Sequence, residues 1–384
     1  MSKIALRNAW FQVHKWIGLL LAIAIIPISL TGAALVWHDA LDEALHPARF
    51  AETGAPQMAP AAYVAAAKGS IGADQRVSQL VYSESGTAPI KLVLANPAQP
   101  GERRPVRTTL WLDPADGHVI DSARSDEGPI RFMHVLHGSL FIPDWGRPIV
   151  GWIGVAMLLS SLSGIWLWWP TVGSWVRGLR WKRHSNFDTN LHHQMGFWIA
   201  IPLFILSATG VWISFPKVFS EFETQSDKAE PGKGPANKAG PGGGRPAPSQ
   251  PLAATNLSVD DAVAAVLKQQ NLAIAAISWP TEKSALWEMK GDGDKPVTLT
   301  VDDTSSAVAE KQKEPENRGP MAKLMRKIHD GTDMGFLWQF IIFLGGLLPA
   351  LLGVTGIIMW WRARGWRGDL AARKKQRQAA QTAS

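Results

Sequence analysis

Cysteine is absent from the 384 residues, so disulfides, thiolate metal sites and cysteine-held iron–sulfur clusters are all excluded. Tyrosine is nearly absent as well, at 2 residues against 19 tryptophans. No G-x-G-x-x-G follows a strand-like run and opens a helix, so no dinucleotide site is expected. GPGGGRP (240–246) sits in a Pro/Gly-rich stretch and does not meet that requirement. Charge is missing from four apolar runs, roughly Trp16–Trp37, Ile149–Trp169, Phe197–Phe215 and Trp338–Trp361. Each is long enough to cross ~30 Å of hydrocarbon, which takes about 20 residues. Many of the tryptophans sit at the ends of these runs, as Trp168-Trp169 and Trp360-Trp361 do, where amphipathic rings settle at a bilayer surface.

The sequence predicts four spans. The first run is longer than a signal-peptide core and is read as a retained anchor. Basic residues flank one side of the spans: Lys3, Arg7 and Lys15; Arg177, Arg180, Lys182 and Arg183; then Arg362, Arg364, Arg367, Arg373, Lys374, Lys375 and Arg377. That bias puts both termini in the cytoplasm. It also accounts for the net charge of +7 by topology and lipid contact, without nucleic acid. A bacterial inner membrane with the long intervening regions in the periplasm is the simplest placement. The expected division is 1–38 (N-terminus and first span), 39–130 (first external unit), 131–170 (histidine segment and second span) and 171–191 (basic loop). It continues with 192–216 (third span), 217–251 (linker), 252–320 (second external unit), 321–361 (histidine segment and fourth span) and 362–384 (basic tail).

The two external regions resemble each other in outline. The first reads as a helix at APAAYVAAAKG, then strands at RVSQLVYSE, IKLVLAN and TTLWLDPADGHVIDS, with DPADG as a turn. The second reads as a helix at SVDDAVAAVLKQQN with a serine N-cap, then strands at AIAAISWP, ALWEMKGDG and VTLTVDD. Each is expected to be a small α+β unit. KAEPGKGPANKAGPGGGRPAPSQP before the second unit has nothing to bury and reads as a disordered linker.

Of ten histidines, His46, His118 and His184 lie in polar contexts, and His38 follows Trp37 at the end of the first span. The other six sit where the chain approaches a span. Laying His192 on His14 places Gly196 on Gly18, Ser207 on Ser29, Thr209 on Thr31 and Gly210 on Gly32, a shift of 178 residues. Laying His329 on His137 places Gly346 on Gly154, Thr355 on Ser163, Gly356 on Gly164 and Trp360-Trp361 on Trp168-Trp169, a shift of 192. The chain therefore reads as a tandem repeat of span, external unit, span, with both halves crossing in the same direction. The repeat singles out His14 with His192 and His137 with His329. His193 and His134 align with Lys15 and Arg326 and form a second tier. Two symmetry-related imidazoles at one depth suit the two axial faces of a haem iron in an apolar bundle. Gly18 and Gly196, one turn after His14 and His192, would leave a flat patch for a ring. A histidine zinc or copper site is the other option. It lacks a carboxylate or third histidine at the first pair, whereas the outer group does hold three histidines.

HKWIGLLLAIAIIPISLTGAALVWH, LHHQMGFWIAIPLFILSATG and HDGTDMGFLW…LLPALLGVTGIIMWW resemble the PepSY-associated transmembrane family. Within it they are similar to inner-membrane ferric-siderophore reductases. The resemblance covers the spans and both external units, which look like PepSY modules, and omits the linker. It implies four transmembrane helices in two parallel repeats, two periplasmic α+β PepSY-like units and two haem b groups. Their axial ligands would come from His14, His192, His137 and His329, with His134 and His193 leaving the register open. The implied partners are a ferric siderophore, an electron donor that is either quinol or a cytoplasmic reductase, and the lipid bilayer. In the run IRFMHVLHGSLFIPDWGRP, Arg131 and Arg147 are candidates to hold an anionic or carbonyl-rich chelate, with Trp145 as a flat contact next to Asp144. Lipid phosphate and interface anchoring explain the same residues. Two other classes compete. A siderophore or peptide permease would need a polar midplane path, and these spans offer only Ser, Thr and Gly there, with no ionisable residue. A PepSY binding or regulatory module would need no haem.

Overall fold

Hydrocarbon offers no hydrogen-bond partners, so each apolar run must satisfy its backbone within a helix. A computed structural model describes residues 2–97, 105–169, 174–219, 249–292, 297–311 and 319–382, without most side chains beyond Trp366. Four of its helices are long and apolar enough to cross a membrane: α1 (Lys3–Leu35), α5 (Gly146–Trp168), α6 (Phe187–Ser214) and the Gly335–Trp366 part of α9 (Gly335–Thr382). Ile23 is 85% exposed and Ile201 66% exposed on these helices, a surface that only lipid can cover without cost. Residues 220–248, which hold most of the Pro/Gly linker, and the tail side chains of Arg367, Arg373, Lys374, Lys375 and Arg377 lie outside the described residues.

The spans pack in a closed order. α1 lies against α5 and α9, and α6 lies against the same two. Small residues set the closest approaches. A Cβ at Gly346 on α9 would stand 2.7 Å from the Ser29 carbonyl oxygen and Ala33 nitrogen of α1. A Cβ at Gly154 on α5 would stand 3.0 Å from Val211 and 3.6 Å from the Ser207 carbonyl oxygen of α6. Without a hydrophobic driving force between helices in lipid, such close backbone contact is what holds them together. Two short helices precede the second and fourth spans: α4 (Pro129–Ser139) and α8 (Pro320–Asp330). A further short helix, α2 (His38–Leu45), follows α1 directly.

The second unit of the chain is built on an antiparallel sheet. The first half supplies α3 (Pro60–Ala66), β1 (Arg76–Val81), β2 (Ile90–Ala95), β3 (Arg107–Leu112) and β4 (Val119–Arg124). The second half supplies α7 (Val259–Gln269), β5 (Ile274–Ser278), β6 (Leu286–Gly291), β7 (Thr298–Asp302) and β8 (Val308–Glu310). Ser258 caps α7 by accepting from the Asp261 amide at 3.1 Å. The DPADG turn closes with Asp113 N–H on the His118 carbonyl at 2.9 Å, and Gly117 takes φ +75° there.

Each half thus supplies one helix and four strands, and the two sets of strands join. The strands form one sheet in the order β4-β3-β2-β1-β5-β6-β7-β8. The joint is β1 with β5, where Gln79, Leu80 and Val81 face Ser278, Ile277 and Ala276. Tyr63 of α3 and Val266 of α7 share one core with Leu92, Leu110, Ile277, Trp287 and Val301, all fully buried or nearly so. Joining the halves buries two strand edges that would otherwise stay unpaired. Asp303 is the one buried acid in this unit among the described residues. It accepts from Trp287 Nε1 at 2.9 Å and from the Asn256 and Leu257 amides at 2.8 and 3.2 Å. Desolvation opposes its charge, and these donors outweigh it, holding its carboxyl below the usual range.

Candidate functional site: two histidine pairs in the helical bundle

His14 lies on α1 and His192 on α6, and their ring centroids are 6.5 Å apart at an interplanar angle of 88°. His137 on α4 and His329 on α8 stand 6.1 Å apart at 48°. All four are half-buried. These are the partners the two sequence shifts align.

Each ring is held at Nδ1. His14 Nδ1 donates to Ser163 Oγ at 2.9 Å, and that hydroxyl passes its own proton to the Ser160 carbonyl at 3.1 Å. His192 Nδ1 donates to Thr355 Oγ1 at 2.9 Å, whose hydroxyl in turn donates to the Leu351 carbonyl at 2.9 Å. His137 Nδ1 donates to the Ile28 carbonyl at 2.8 Å. His329 Nδ1 shares its proton between Thr209 Oγ1 at 3.0 Å and the Leu206 carbonyl at 3.2 Å. A carbonyl accepts only, so the proton of a neutral imidazole bonded to it is on Nδ1 and Nε2 carries the lone pair. Among the described residues, Nε2 of these four makes no hydrogen bond.

The Cε1 edge of each ring, next to the tethered nitrogen, meets a glycine on a neighbouring helix. A Cβ at Gly164 would stand 3.4 Å from His14 Cε1, and one at Gly356 would stand 3.6 Å from His192 Cε1. At Gly32 it would be 2.7 Å from His137 Cε1, and at Gly210 it would be 3.2 Å from His329 Cε1. The glycines singled out by the His-x-x-x-Gly spacing behave differently. A Cβ at Gly18 would meet nothing within 4 Å, and one at Gly196 would only reach Leu352 at 4.0 Å. The sequence aligned Ser163, Thr355, Gly164, Gly356, Gly32 and Gly210 as repeat positions without giving them a role. The signal was the repeat itself.

Second-tier histidines take other partners. His193 lies 4.5 Å from His184 and 6.5 Å from His192 between ring centroids. His134 lies 6.2 Å from His38. His184 and His38 carried no signal in the sequence, because neither has a repeat counterpart. Burial pushes His184 below the usual imidazole range, and the Arg183 charge adds to the effect. The loop that carries His184 is tied to α6. Asn190 Nδ2 donates to the His184 carbonyl at 2.7 Å, and Gln194 Nε2 donates to the Gly178 carbonyl at 3.0 Å. Arg7 and Arg183 reach the end of α5, at the Leu167 carbonyl (2.5 Å) and the Trp168 carbonyl (2.8 Å), where cations satisfy orphan acceptors.

Arg131 is exposed near the start of α4. Trp145 is 72% exposed as the N-cap of α5. Arg147 donates to the Ile213 carbonyl at the end of α6, a helix-terminating contact.

The donor set suits a flat metallocycle. Two imidazoles on opposite faces of one metal, each about 2 Å from it, put their ring centroids roughly 6 Å apart. Both pairs have that spacing, carry a tethered Nδ1 and lie in an apolar helical bundle. Among the described residues, Asp113, Asp116 and His118 of the largely exposed β3–β4 turn bring one potential ligand atom each within 4.8 Å of one another.

Fold and site together define a multi-pass membrane protein with a helical bundle, an antiparallel sheet and paired histidines in the bundle. Residues 11–363 match the family described as PepSY-associated TM region, and the chain belongs to that family. No curated protein matches the sequence.

Proposed function

We propose that this protein carries electrons across the bacterial inner membrane and reduces the iron of a ferric siderophore on the periplasmic side. The reading rests on one observation: two histidine pairs at 6.5 and 6.1 Å, each ring tethered at Nδ1. His14 and His192 would hold one b-type haem, and His137 and His329 the other. Bound haem supplies one-electron exchange between ferric and ferrous iron. The chain's own residues do the rest. Ser163, Thr355, Ile28 and Leu206 hold the Nδ1 protons and so present Nε2 unprotonated, as ligation requires. Gly164, Gly356, Gly32 and Gly210 give the rings room against the neighbouring helix. Fourteen residues of α1 separate His14 from Ile28, a rise of roughly 20 Å, so the two pairs lie at different depths.

The basic flanks orient the bundle with His14 and His192 toward the cytoplasm and the sheet in the periplasm. The matching contacts at shifts of 178 and 192 residues support two parallel repeats. The donor is a quinol or a cytoplasmic reductase. Reduction fits siderophore chemistry, since hard oxygen donors hold Fe(III) tightly and Fe(II) less so. The deciding measurement is the visible spectrum of the purified protein with haem quantitation. Two b-type haems per chain are expected. A colourless, haem-free preparation from haem-replete cells would reject the reading and favour a PepSY binding or regulatory role.

A further inference from the structure

A third pair of imidazoles stands apart from the two described. His38 is the first residue of α2, just past the end of α1, and His134 is on α4 one turn before His137. Their ring centroids are 6.2 Å apart at 80°. His38 Nδ1 donates to the Leu35 carbonyl at 3.0 Å, which in a neutral ring leaves the lone pair on Nε2. Both residues are exposed, whereas the other four histidines are half-buried. Among the described residues no glycine is backed by either ring. An exposed pair without an apolar slot is poorly suited to a macrocycle. It suits a hydrated first-row divalent cation, which takes two imidazoles and keeps water in its open positions.

We propose that His38 and His134 form an acceptor site for ferrous iron set free by reduction. This rests on the reductase reading for the identity of the ion. Iron(III) in a chelate of hard oxygen donors gains nothing from imidazole. Iron(II) is a borderline ion that imidazole binds well. A two-histidine site therefore sorts the reduced product from the oxidised substrate by ligand hardness alone. Its place fits that task. His134 and His137 are three residues apart, hence on one side of α4 and about 4.5 Å apart in rise. Leu35, which tethers His38, lies one turn beyond Gly32, which backs His137.

The test is anaerobic equilibrium dialysis of the purified full-length protein against ferrous ammonium sulfate, with haem counted on the same samples. Wild type should bind one more Fe(II) per chain than the His38→Ala/His134→Ala double variant, and each single variant should weaken that site at least about tenfold. His118→Ala, which disrupts the Asp113–Asp116–His118 turn cluster, should leave the difference intact. Haem content should be the same in the double variant as in wild type. Equal Fe(II) binding by wild type and double variant overturns the proposal, as does loss of a haem from the double variant, which would make the pair a macrocycle site. A haem-free wild type that still shows the His38- and His134-dependent Fe(II) site would retire the reductase reading and leave the cation site standing.

Discussion

The pair formed by His14 and His192 differs from the pair formed by His137 and His329 in what holds it. The first pair sits on the spans themselves, and its Nδ1 protons go to side-chain hydroxyls, Ser163 and Thr355. The second pair sits on short helices before the spans, and its Nδ1 protons reach the Ile28 carbonyl from His137 and both the Thr209 hydroxyl and the Leu206 carbonyl from His329. A hydroxyl acceptor can be removed by substitution, but a carbonyl cannot. The second pair is also more tightly backed, by Gly32 and Gly210 at 2.7 and 3.2 Å against 3.4 and 3.6 Å for Gly164 and Gly356. The first pair is thus held at both rings by hydroxyls that substitution can remove, whereas in the second each ring also has a carbonyl acceptor and a tighter glycine behind it.

The largest expected effect tests whether the pairs are independent. His14→Ala or His192→Ala should each remove one haem and spare the other, and His137→Ala or His329→Ala should do the reverse. His193→Ala and His134→Ala should keep both, because their rings face His184 and His38. Pyridine haemochrome quantitation reads the outcome. Loss of a haem in His193→Ala with retention in His192→Ala would place the first pair one residue out of register.

Next in size is the glycine series, which sharpens the difference in backing. Gly32→Ala puts a methyl where His137 Cε1 and Nδ1 stand 2.7 and 2.9 Å away, distances that force the ring to move. Gly210→Ala at 3.2 Å needs a shift of a few tenths of an ångström, and Gly356→Ala at 3.6 Å is ordinary contact. Haem retention after gel filtration should rise in that order, with Gly32→Ala losing most of one haem and Gly356→Ala close to wild type. Equal retention across the three would mean that the rings are not held by this backing.

Much of this arrangement was legible in the sequence, and the rest was hidden for physical reasons. The spans showed because about 20 uncharged apolar residues in a row have few other uses. The histidine pairs showed because the two sequence alignments set His192 on His14 and His329 on His137. The strands showed through alternation at RVSQLV and LWEMKG, but alternation fixes faces and not neighbours. The pairing of β1 with β5 therefore came only from the structure. β8, three residues long, is too short to carry a pattern. His38 with His134 and His184 with His193 lack repeat partners, so nothing along the chain pointed to their meeting. The hydroxyl tethers Ser163, Thr355 and Thr209 stood at aligned positions, yet a serine or threonine in a membrane helix more often bonds only to its own helix.

The smallest expected effect separates side-chain tethering from backbone tethering. Thr355→Val removes the hydroxyl at 2.9 Å from His192 Nδ1 while keeping the shape of the side chain. An imidazole that loses its Nδ1–H acceptor is a poorer donor at Nε2, which disfavours the ferric state and raises the potential. Outer-shell changes of this kind alter metal affinity by about 10–100-fold. Each tenfold change in the ratio of ferric to ferrous binding moves a one-electron potential by about 59 mV. Thr209→Val is the matched control, because the Leu206 carbonyl remains 3.2 Å from His329 Nδ1 and can take the whole proton. Spectroelectrochemical titration should therefore show the haem of the first pair shifted upward by tens of millivolts in Thr355→Val. The haem of the second pair should move much less in Thr209→Val. Ser163→Ala should fall between the two, since Ser160 Oγ stands 3.4 Å from His14 Nδ1 as a reserve acceptor. Equal shifts in Thr355→Val and Thr209→Val would show that a carbonyl takes over in both places, and the distinction between the pairs would then lie in their glycines alone.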